Sequence, residues 1–166
     1  MKNLYLIGFM GSGKSTAAKV FRDEYHMNLV EMDEEIVKQE KRAISEIFAT
    51  DGEEYFRDLE TALIKKIQAG TNQVVSCGGG AVLRSKNVEM MKKNGKLVLL
   101  RAEPETILGR VKRSTDRPLL NGNMNVEYIT ELIEKRRAIY EAAADLIIDT
   151  DGKSVHAVCR EIMGGR

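Results

Sequence analysis

The chain has 166 residues, 26 basic and 25 acidic side chains, and a formal net charge of +1. This length is typical of one domain, and we expect residues 1–166 to form a single domain with its own buried core. The balanced charge argues against nucleic acid or an anionic membrane surface as a partner, and no apolar run approaches the roughly 20 residues that span a bilayer.

The first predicted element is a strand over Leu4–Gly8, which leads into a phosphate-binding pattern, G-x-x-x-x-G-K-[ST], and then into a helical pattern over Ser15–Tyr25. Glycines let successive N–H groups face an anion, and the following helix directs its positive end at the same place. The alternative is a glycine-rich turn between a strand and a helix that binds no ligand. We predict a site for a nucleoside triphosphate, with Lys14 on the β- and γ-phosphates and Ser15 on Mg²⁺. Its residues are Gly11, Ser12, Gly13, Lys14, Ser15 and Thr16.

Four further apolar runs predict strands over Asn28–Met32, Gln73–Cys77, Lys96–Leu100 and Asp145–Asp149. They are nearly continuous rather than alternating, as expected for strands buried on both faces. Strands that alternate with helices predict an α/β fold, a five-stranded parallel sheet flanked by helices on both faces. The remaining helical patterns cover Ser45–Ala69, Asn87–Asn94, Pro104–Lys112, Val126–Ala142 and Val155–Met163.

Two segments interrupt the alternation. Residues 34–69 are too long for a simple crossover and predict a helical insertion over one edge of the sheet. Residues 113–125 are polar and basic and contain Pro118 and Gly122, a composition typical of a lid. Ligands of open α/β sheets lie beyond the carboxyl ends of the strands, where both segments can fold over them.

Glu31 and Asp33 stand at the end of the second predicted strand. Two residues apart on an extended segment, they point the same way and can hold Mg²⁺ or its waters, or accept the proton of a substrate hydroxyl. The alternative is a solvated helix start, since Glu34 and Glu35 follow. The third strand ends without an acidic residue, and Ser76 can serve the metal there through a water.

Three consecutive glycines, Gly78, Gly79 and Gly80, follow the third strand. Such a run is unfavourable in chain entropy and makes sense where a ligand or another backbone approaches closely; a flexible turn is the alternative. Cys77, directly before it, is interpreted as a small buried side chain rather than a nucleophile. With two distant cysteines and an ATP-type motif, we expect the protein to act in a reducing cytoplasm.

Arg57, Arg117 and Arg136 are candidate anion ligands, because a guanidinium presents a fork of N–H donors that matches two oxygens of a carboxylate or phosphate. Arg57 lies in a mostly apolar helical pattern, Arg117 in the predicted lid, and Arg136 four residues before Tyr140. For any single arginine, a surface ion pair is the competing interpretation.

Together these motifs resemble the shikimate kinase family, from Leu4 to about Ile148. The phosphate loop is shared by many families, and the later motifs are more specific. They are Asp33, which matches the second Asp of an Asp-x-Asp element, Ile44–Phe48, Gly52-Glu53, Phe56–Glu60, Gly78–Gly80, Arg117–Leu120, and Arg136 with Tyr140.

The resemblance implies a P-loop kinase fold and phosphorylation of the 3-hydroxyl of shikimate with ATP and Mg²⁺. It implies that Asp33 contacts that hydroxyl and acts as its base, and that Arg57 and Arg136 bind the substrate carboxylate. The backbone of Gly78, Gly79 and Gly80 would contact the substrate. The lid residue Arg117 would reach the phosphates, and Arg110 would lie against the adenine. We expect the enzyme to be a monomer.

Two positions depart from the family pattern. Glu31 stands where the Asp-x-Asp element has its first Asp, and Thr150-Asp151-Gly152 lacks the proline of the family's adenine loop. Competing interpretations are a related kinase acting on gluconate, another sugar acid or a nucleotide. From a different class come a nucleotide-dependent switch and a binding module without kinase activity.

Overall fold

Five parallel strands form one sheet in the computed structural model of the chain, which describes residues 2–111 and 125–164. The strands are β1 Asn3–Ile7, β2 Asn28–Glu31, β3 Gln73–Ser76, β4 Gly95–Arg101 and β5 Leu146–Asp149, and they are hydrogen-bonded in the order β2-β3-β1-β4-β5. The predicted parallel sheet is confirmed, with every strand end within one residue of its predicted position.

Seven α-helices connect or follow these strands in the described residues. The predicted insertion consists of two helices rather than one, because a helix that we did not separate begins directly after β2. The long pattern over Ser45–Ala69 is also broken at Gly52, whose φ of 87° and ψ of 173° are not helical. The helices are α1 Lys14–Tyr25, α2 Met32–Glu40, α3 Ile44–Gln68, α4 Ser85–Asn94, α5 Pro104–Val111, α6 Val126–Ala143 and α7 Val155–Ile162, with a 3₁₀ turn at Ala81–Leu83.

Both faces of the sheet are buried, as the continuous apolar runs predicted. On β1, Leu4 and Leu6 face a core that includes Phe21 of α1 and Val158 of α7. The alternate side chains face a second core, to which α3, α4 and α6 contribute. Because period-2 alternation sends neighbouring side chains to opposite faces, a strand apolar at every position requires helices on both sides. The second core includes Tyr5, Ile7, Ile64, Val75, Met91, Leu97, Leu99 and Tyr140.

The insertion is tied together by its own apolar cluster, in which Ile36 of α2 packs with Ile47 and Phe56, on either side of the Gly52 break. The predicted lid, including Arg117, lies outside the described residues except for its last residue. No helix in residues 2–111 and 125–164 is long and apolar enough to cross a membrane.

Two glycines outside the loops give opposite stability predictions. A Cβ on Gly95, the first residue of β4, would lie 2.4 Å from the buried ring of Tyr5 and 2.8 Å from the carbonyl oxygen of Asn3. Gly95→Ala should therefore lower the free energy of unfolding by about 1–3 kcal/mol through overpacking. Gly109→Ala, in α5 with no neighbour within 4 Å of the added Cβ, should raise it by about 0.5–1 kcal/mol through helix propensity. Urea unfolding measures both, and equal effects would contradict the packing at β4.

Candidate active site

A cleft of about 650 Å³ opens at the carboxyl ends of β1, β2 and β3. Of the predicted site residues that the structure describes, Ser12 alone does not line it. A second cleft, of about 430 Å³ between α5, α6 and β4, contains none of the predicted residues, so we assign the site to the first. The predicted residues brought together in it are Gly11, Gly13, Lys14, Ser15, Thr16, Glu31, Asp33, Arg57, Ser76, Gly78, Gly79, Gly80, Arg110 and Arg136.

The phosphate loop runs between β1 and α1. Gly8 has a φ of 142°, and a Cβ there would lie 2.5 Å from the carbonyl oxygen of Leu100, so both conformation and space require glycine. The Nζ atom of Lys14 donates to the carbonyl oxygens of Gly8, at 2.5 Å, and Phe9, at 3.2 Å. Ser12, within the loop, is buried, and its hydroxyl has no hydrogen-bond partner among the described residues.

Arg110 joins the end of α5 to this loop, because its Nη1 donates to the carbonyl oxygen of Gly11 at 2.8 Å. The start of α5 is held by Asp151, whose carboxylate accepts from the backbone N–H of Glu103 at 2.9 Å and from the hydroxyl of Thr106 at 2.5 Å. The segment that lacks the family's proline therefore orients the helix that carries Arg110.

Oxygen atoms from three elements meet beside the loop. The Ser15 hydroxyl donates to a carboxylate oxygen of Glu31 at 3.0 Å and lies 3.4 Å from the Ser76 hydroxyl. Burial raises the pKa of Glu31, and the hydroxyls of Ser15 and Ser76 oppose that rise. Oxygen-only ligands suit Mg²⁺, but the described residues contain no group of three His, Cys, Asp or Glu side chains that could hold a metal. The donor set thus fits an ion that also takes oxygens from water and phosphate.

The opposite side of the cleft places Asp33 next to the glycine triplet. Asp33 lies in the first turn of α2, so the prediction that it shares an extended segment with Glu31 is wrong: the strand ends at Glu31. A Cβ on Gly78 would lie 2.9 Å from Oδ1 of Asp33 and 2.7 Å from Oε2 of Glu60. Glycine is required here because two carboxylates approach the backbone.

Arg57 is a buried ion-pair partner, with 8% of its surface exposed. Its Nη1 donates to Glu60 at 2.7 Å, and its Nε and Nη2 donate to Glu53 at 3.2 Å each. A Cβ on Gly80 would lie 2.3–2.6 Å from the guanidinium, so the glycine turn rests directly on it. Burial acts to lower the pKa of Arg57, but the charges of Glu60 and Glu53 outweigh burial and raise it. The guanidinium stays charged.

Sequence reasoning missed Glu60 as a site residue. Its side chain is fully buried and its Oε2 has no hydrogen-bond partner among the described residues. Burial raises its pKa, and the charge of Arg57 partly offsets that rise. The available signal was its spacing, since Glu60 follows Arg57 by three residues and shares a helix face with it.

The middle glycine of the triplet is held from α6. The Tyr140 hydroxyl donates to the carbonyl oxygen of Gly79, and Nη1 of Arg136 would lie 3.6 Å from a Cβ on Gly79. Tyr140 is buried, which raises the pKa of its hydroxyl and keeps it a donor at neutral pH. The Arg-x-x-x-Tyr spacing therefore places a cation and a backbone anchor on one helix face.

Cys77 stands beside the cleft but is chemically inert there. Its side chain is 2% exposed, and burial raises the pKa of its thiol to about 12. A thiol of that pKa is protonated at neutral pH and is a poor nucleophile. The interpretation of Cys77 as a small buried side chain is confirmed.

Comparison with known proteins gives one family for this chain. The sequence model of one family, shikimate kinase, matches residues 10–164. The chain is 45% identical to a shikimate kinase of Persephonella marina, over 99% of this chain and 98% of that protein. It is 43% identical to a shikimate kinase of Thermodesulfovibrio yellowstonii, over 98% and 94%.

Solved structures give the same result at the level of the fold. The shikimate kinase of Acinetobacter baumannii, solved in complex with shikimate, superposes with a TM-score of 0.92 at 29% identity, covering 98% of this chain and 91% of that one. Similarity in sequence over nearly the whole length and similarity in fold point to the same group. The chain belongs to the shikimate kinase family.

Proposed function

We propose that this protein transfers the γ-phosphoryl group of ATP to the 3-hydroxyl of shikimate, giving shikimate 3-phosphate and ADP. The observation that carries the proposal is one cleft with a phosphate loop on one side and a buried arginine under a glycine turn on the other. A small hydroxy acid supplies both a carboxylate for the remaining N–H donors of Arg57 and for Arg136, and a hydroxyl for Asp33. The relative solved with shikimate supports this choice of acceptor.

The nucleotide half of the cleft is the loop Gly11–Thr16. Lys14 now donates to two loop carbonyls, and these bonds can be exchanged for bonds to phosphate oxygens without moving the backbone. Arg110 already contacts the loop at Gly11 and supplies a planar guanidinium for the adenine. The family role of Arg117, contact with the phosphates from a lid over 113–125, is part of the proposal.

The acceptor half begins with the carboxylate of shikimate on Arg57 and Arg136. Glutamates use three of the five N–H donors of Arg57 in the described residues, which leaves two donors for a carboxylate. The glycine turn, which a side chain at Gly78 or Gly80 would block, contacts the ring of the acceptor. Alignment of this kind supplies most of the catalysis in phosphoryl transfer.

In the chemical step, a bond forms between the 3-oxygen of shikimate and the γ-phosphorus. The bond from that phosphorus to the β–γ bridging oxygen breaks, and ADP leaves. Asp33 accepts the hydroxyl proton, while Lys14 and Arg117 neutralise charge on the transferred group. Ser15, with Glu31 and Ser76 behind it, would hold Mg²⁺, which when bound neutralises phosphate charge as a Lewis acid.

We also propose a monomer that acts in a reducing cytoplasm. The described residues of one chain supply both halves of the cleft, and both cysteines are buried free thiols. Sedimentation equilibrium should give a mass close to 18.6 kDa at assay concentrations, and that mass should not change when a reductant is added. A mass near twice that value would contradict the monomer.

An assay of ADP release tests the function itself. We expect turnover with ATP, MgCl₂ and shikimate, little with gluconate or without acceptor, and loss of turnover when EDTA removes the metal. Mass spectrometry should find one phosphate added to shikimate. Turnover with gluconate but not shikimate would favour the related-kinase alternative, and nucleotide binding without any turnover would favour the silent module.

A pair of conservative substitutions separates binding from chemistry. Arg57→Lys keeps a cation beside the buried Glu60 but loses the fork, so the KM for shikimate should rise about tenfold, while the KM for ATP stays within about twofold. Asp33→Asn removes the base and should lower kcat by about 10²–10⁴-fold.

Steady-state kinetics with each substrate varied in turn measures both effects. Equal rises in both KM values for Arg57→Lys would contradict the carboxylate site. An Asp33→Asn enzyme that lost affinity for ATP but kept its kcat would place Asp33 in the metal site instead.

A further inference from the structure

One buried side chain near the cleft is not explained by nucleotide or acceptor binding. Asn87, at the start of α4, is 1% exposed and does not line the cleft. We infer that Asn87 is a positioning residue for the acceptor, which fixes the glycine turn against the helix that carries Arg57. This inference rests on the proposed function.

Asn87 bonds to two segments whose relative position shapes the site: the chain after the glycine triplet and helix α3. Its Nδ2 donates to the carbonyl oxygen of Ala81 at 2.9 Å, one residue after the glycine triplet. Its Oδ1 accepts from the hydroxyl of Thr61 at 2.8 Å, one residue after Glu60 on α3. One amide therefore connects the chain just beyond Gly80 to the helix turn that carries the buried ion pair.

The amide fits in one orientation only. The carbonyl of Ala81 can accept but not donate, so the NH₂ group of Asn87 must face it. The single proton of the Thr61 hydroxyl faces two acceptors, Oδ1 of Asn87 at 2.8 Å and the carbonyl oxygen of Arg57 at 3.1 Å, and the hydroxyl oxygen accepts from Nη1 of Arg84 at 3.1 Å. Arg84 is itself paired with Glu54 and Asp58 on α3. Asn87 is thus the buried end of a hydrogen-bond network that reaches the surface at Glu54 and Asp58, and the bonds of its amide favour one arrangement of the turn and the helix.

The position of the glycine turn matters because the turn packs tightly against Arg57. Gly80 packs against the guanidinium of Arg57 so closely that a single added carbon would lie 2.3 Å from it. A shift of the turn by a fraction of an ångström would therefore displace the guanidinium of Arg57, which with Arg136 is proposed to bind the acceptor carboxylate. The phosphate loop lies on β1 and has no bond to Asn87. Removal of the Asn87 side chain should therefore weaken binding of the acceptor and leave binding of the nucleotide unchanged.

The same helix offers a matched control at its other end. Asn94, the last residue of α4, also crosslinks the chain, because its Nδ2 donates to the carbonyl oxygens of Gln68 at 2.7 Å and Gly70 at 3.1 Å. It bonds to the C-terminal end of α3, away from the Gly52 break, and its hydrogen-bond partners among the described residues, Tyr5, Gln68 and Gly70, are not site residues. Asn87→Ala and Asn94→Ala each remove an amide that bridges α4 to α3 or the loop after it, but Asn87 is buried and borders the glycine turn, whereas Asn94 is half-buried and lies away from it.

The experiment compares these two variants with the wild-type protein. Both should lose thermal stability. Asn87→Ala should raise the KM for shikimate about tenfold with the KM for ATP within about twofold, since one lost bond to an aligned group is felt by the acceptor alone. It should also lose the stabilisation that added shikimate gives in a melting experiment. Asn94→Ala should keep both KM values within about twofold of wild type.

A second pair keeps the test informative if Asn87→Ala does not fold. Thr61→Val removes the hydroxyl bonded to Asn87 at constant shape and should raise the KM for shikimate about threefold, while Thr61→Ser, which keeps the hydroxyl, should restore it. Identical kinetics for Asn87→Ala and Asn94→Ala, or equal changes in both KM values, would overturn the positioning role alone. A wild-type protein inactive on shikimate would overturn the proposed function as well.

Discussion

The buried ion pair between Arg57 and Glu60 is the interaction on which the acceptor side of the cleft depends. Two charges removed from water are unfavourable unless they pair with good geometry, and the 2.7 Å contact supplies that geometry. Removing Arg57 would leave the fully buried Glu60 without its ion-pair partner, and removing Glu60 would leave Arg57 with Glu53 as its partner. The pair therefore keeps the guanidinium both charged and fixed, which a carboxylate site requires and a flexible surface arginine does not provide.

The glycine triplet is the counterpart of this pair. Each missing side chain admits a different group: two carboxylates at Gly78, Arg136 and Tyr140 at Gly79, and the Arg57 guanidinium at Gly80. None of the three has a positive φ, so conformational freedom is not the reason for glycine. Close approach of the protein's own side chains is the reason at Gly78 and Gly80, whereas a Cβ on Gly79 would make ordinary contacts at 3.6–3.8 Å. Contact of the triplet with a ligand stays a prediction.

The sequence was sufficient for features that local pattern determines. The continuous apolar run Leu4–Ile7 in β1 predicted helices on both faces, and the fixed spacing of Lys14 after Gly8 predicted the phosphate loop. It was insufficient where tertiary contact decides. The residues after Glu31 suit either a longer strand or a helix, and packing of Ile36 on Ile47 selects the helix. From the sequence alone Glu60 resembles a surface carboxylate, and its burial results from tertiary contact with Arg57 and the glycine turn at Gly78.

The order of the strands explains why the two halves of the cleft are held in register. The loop follows β1, the glycines follow β3, and Asp33 follows β2, and these three strands are neighbours in the order β2-β3-β1. Glu31 is paired with Ser76 across the sheet, so the two face Ser15 from adjacent strand ends. The family's Asp at position 31 would be one methylene shorter.

That extra methylene has a local consequence. Glu31 still reaches Ser15 at 3.0 Å, although it is the last residue of its strand and Asp33 has already turned into α2. The longer side chain of Glu31 thus reaches Ser15 in the phosphate loop while α2 keeps its position. Because Asp33 stays on the glycine side, beside Gly78, the carboxylate proposed for the nucleotide side and the carboxylate proposed for the acceptor lie on separate elements. The departure at position 31 therefore falls on the nucleotide side and leaves the acceptor side unchanged.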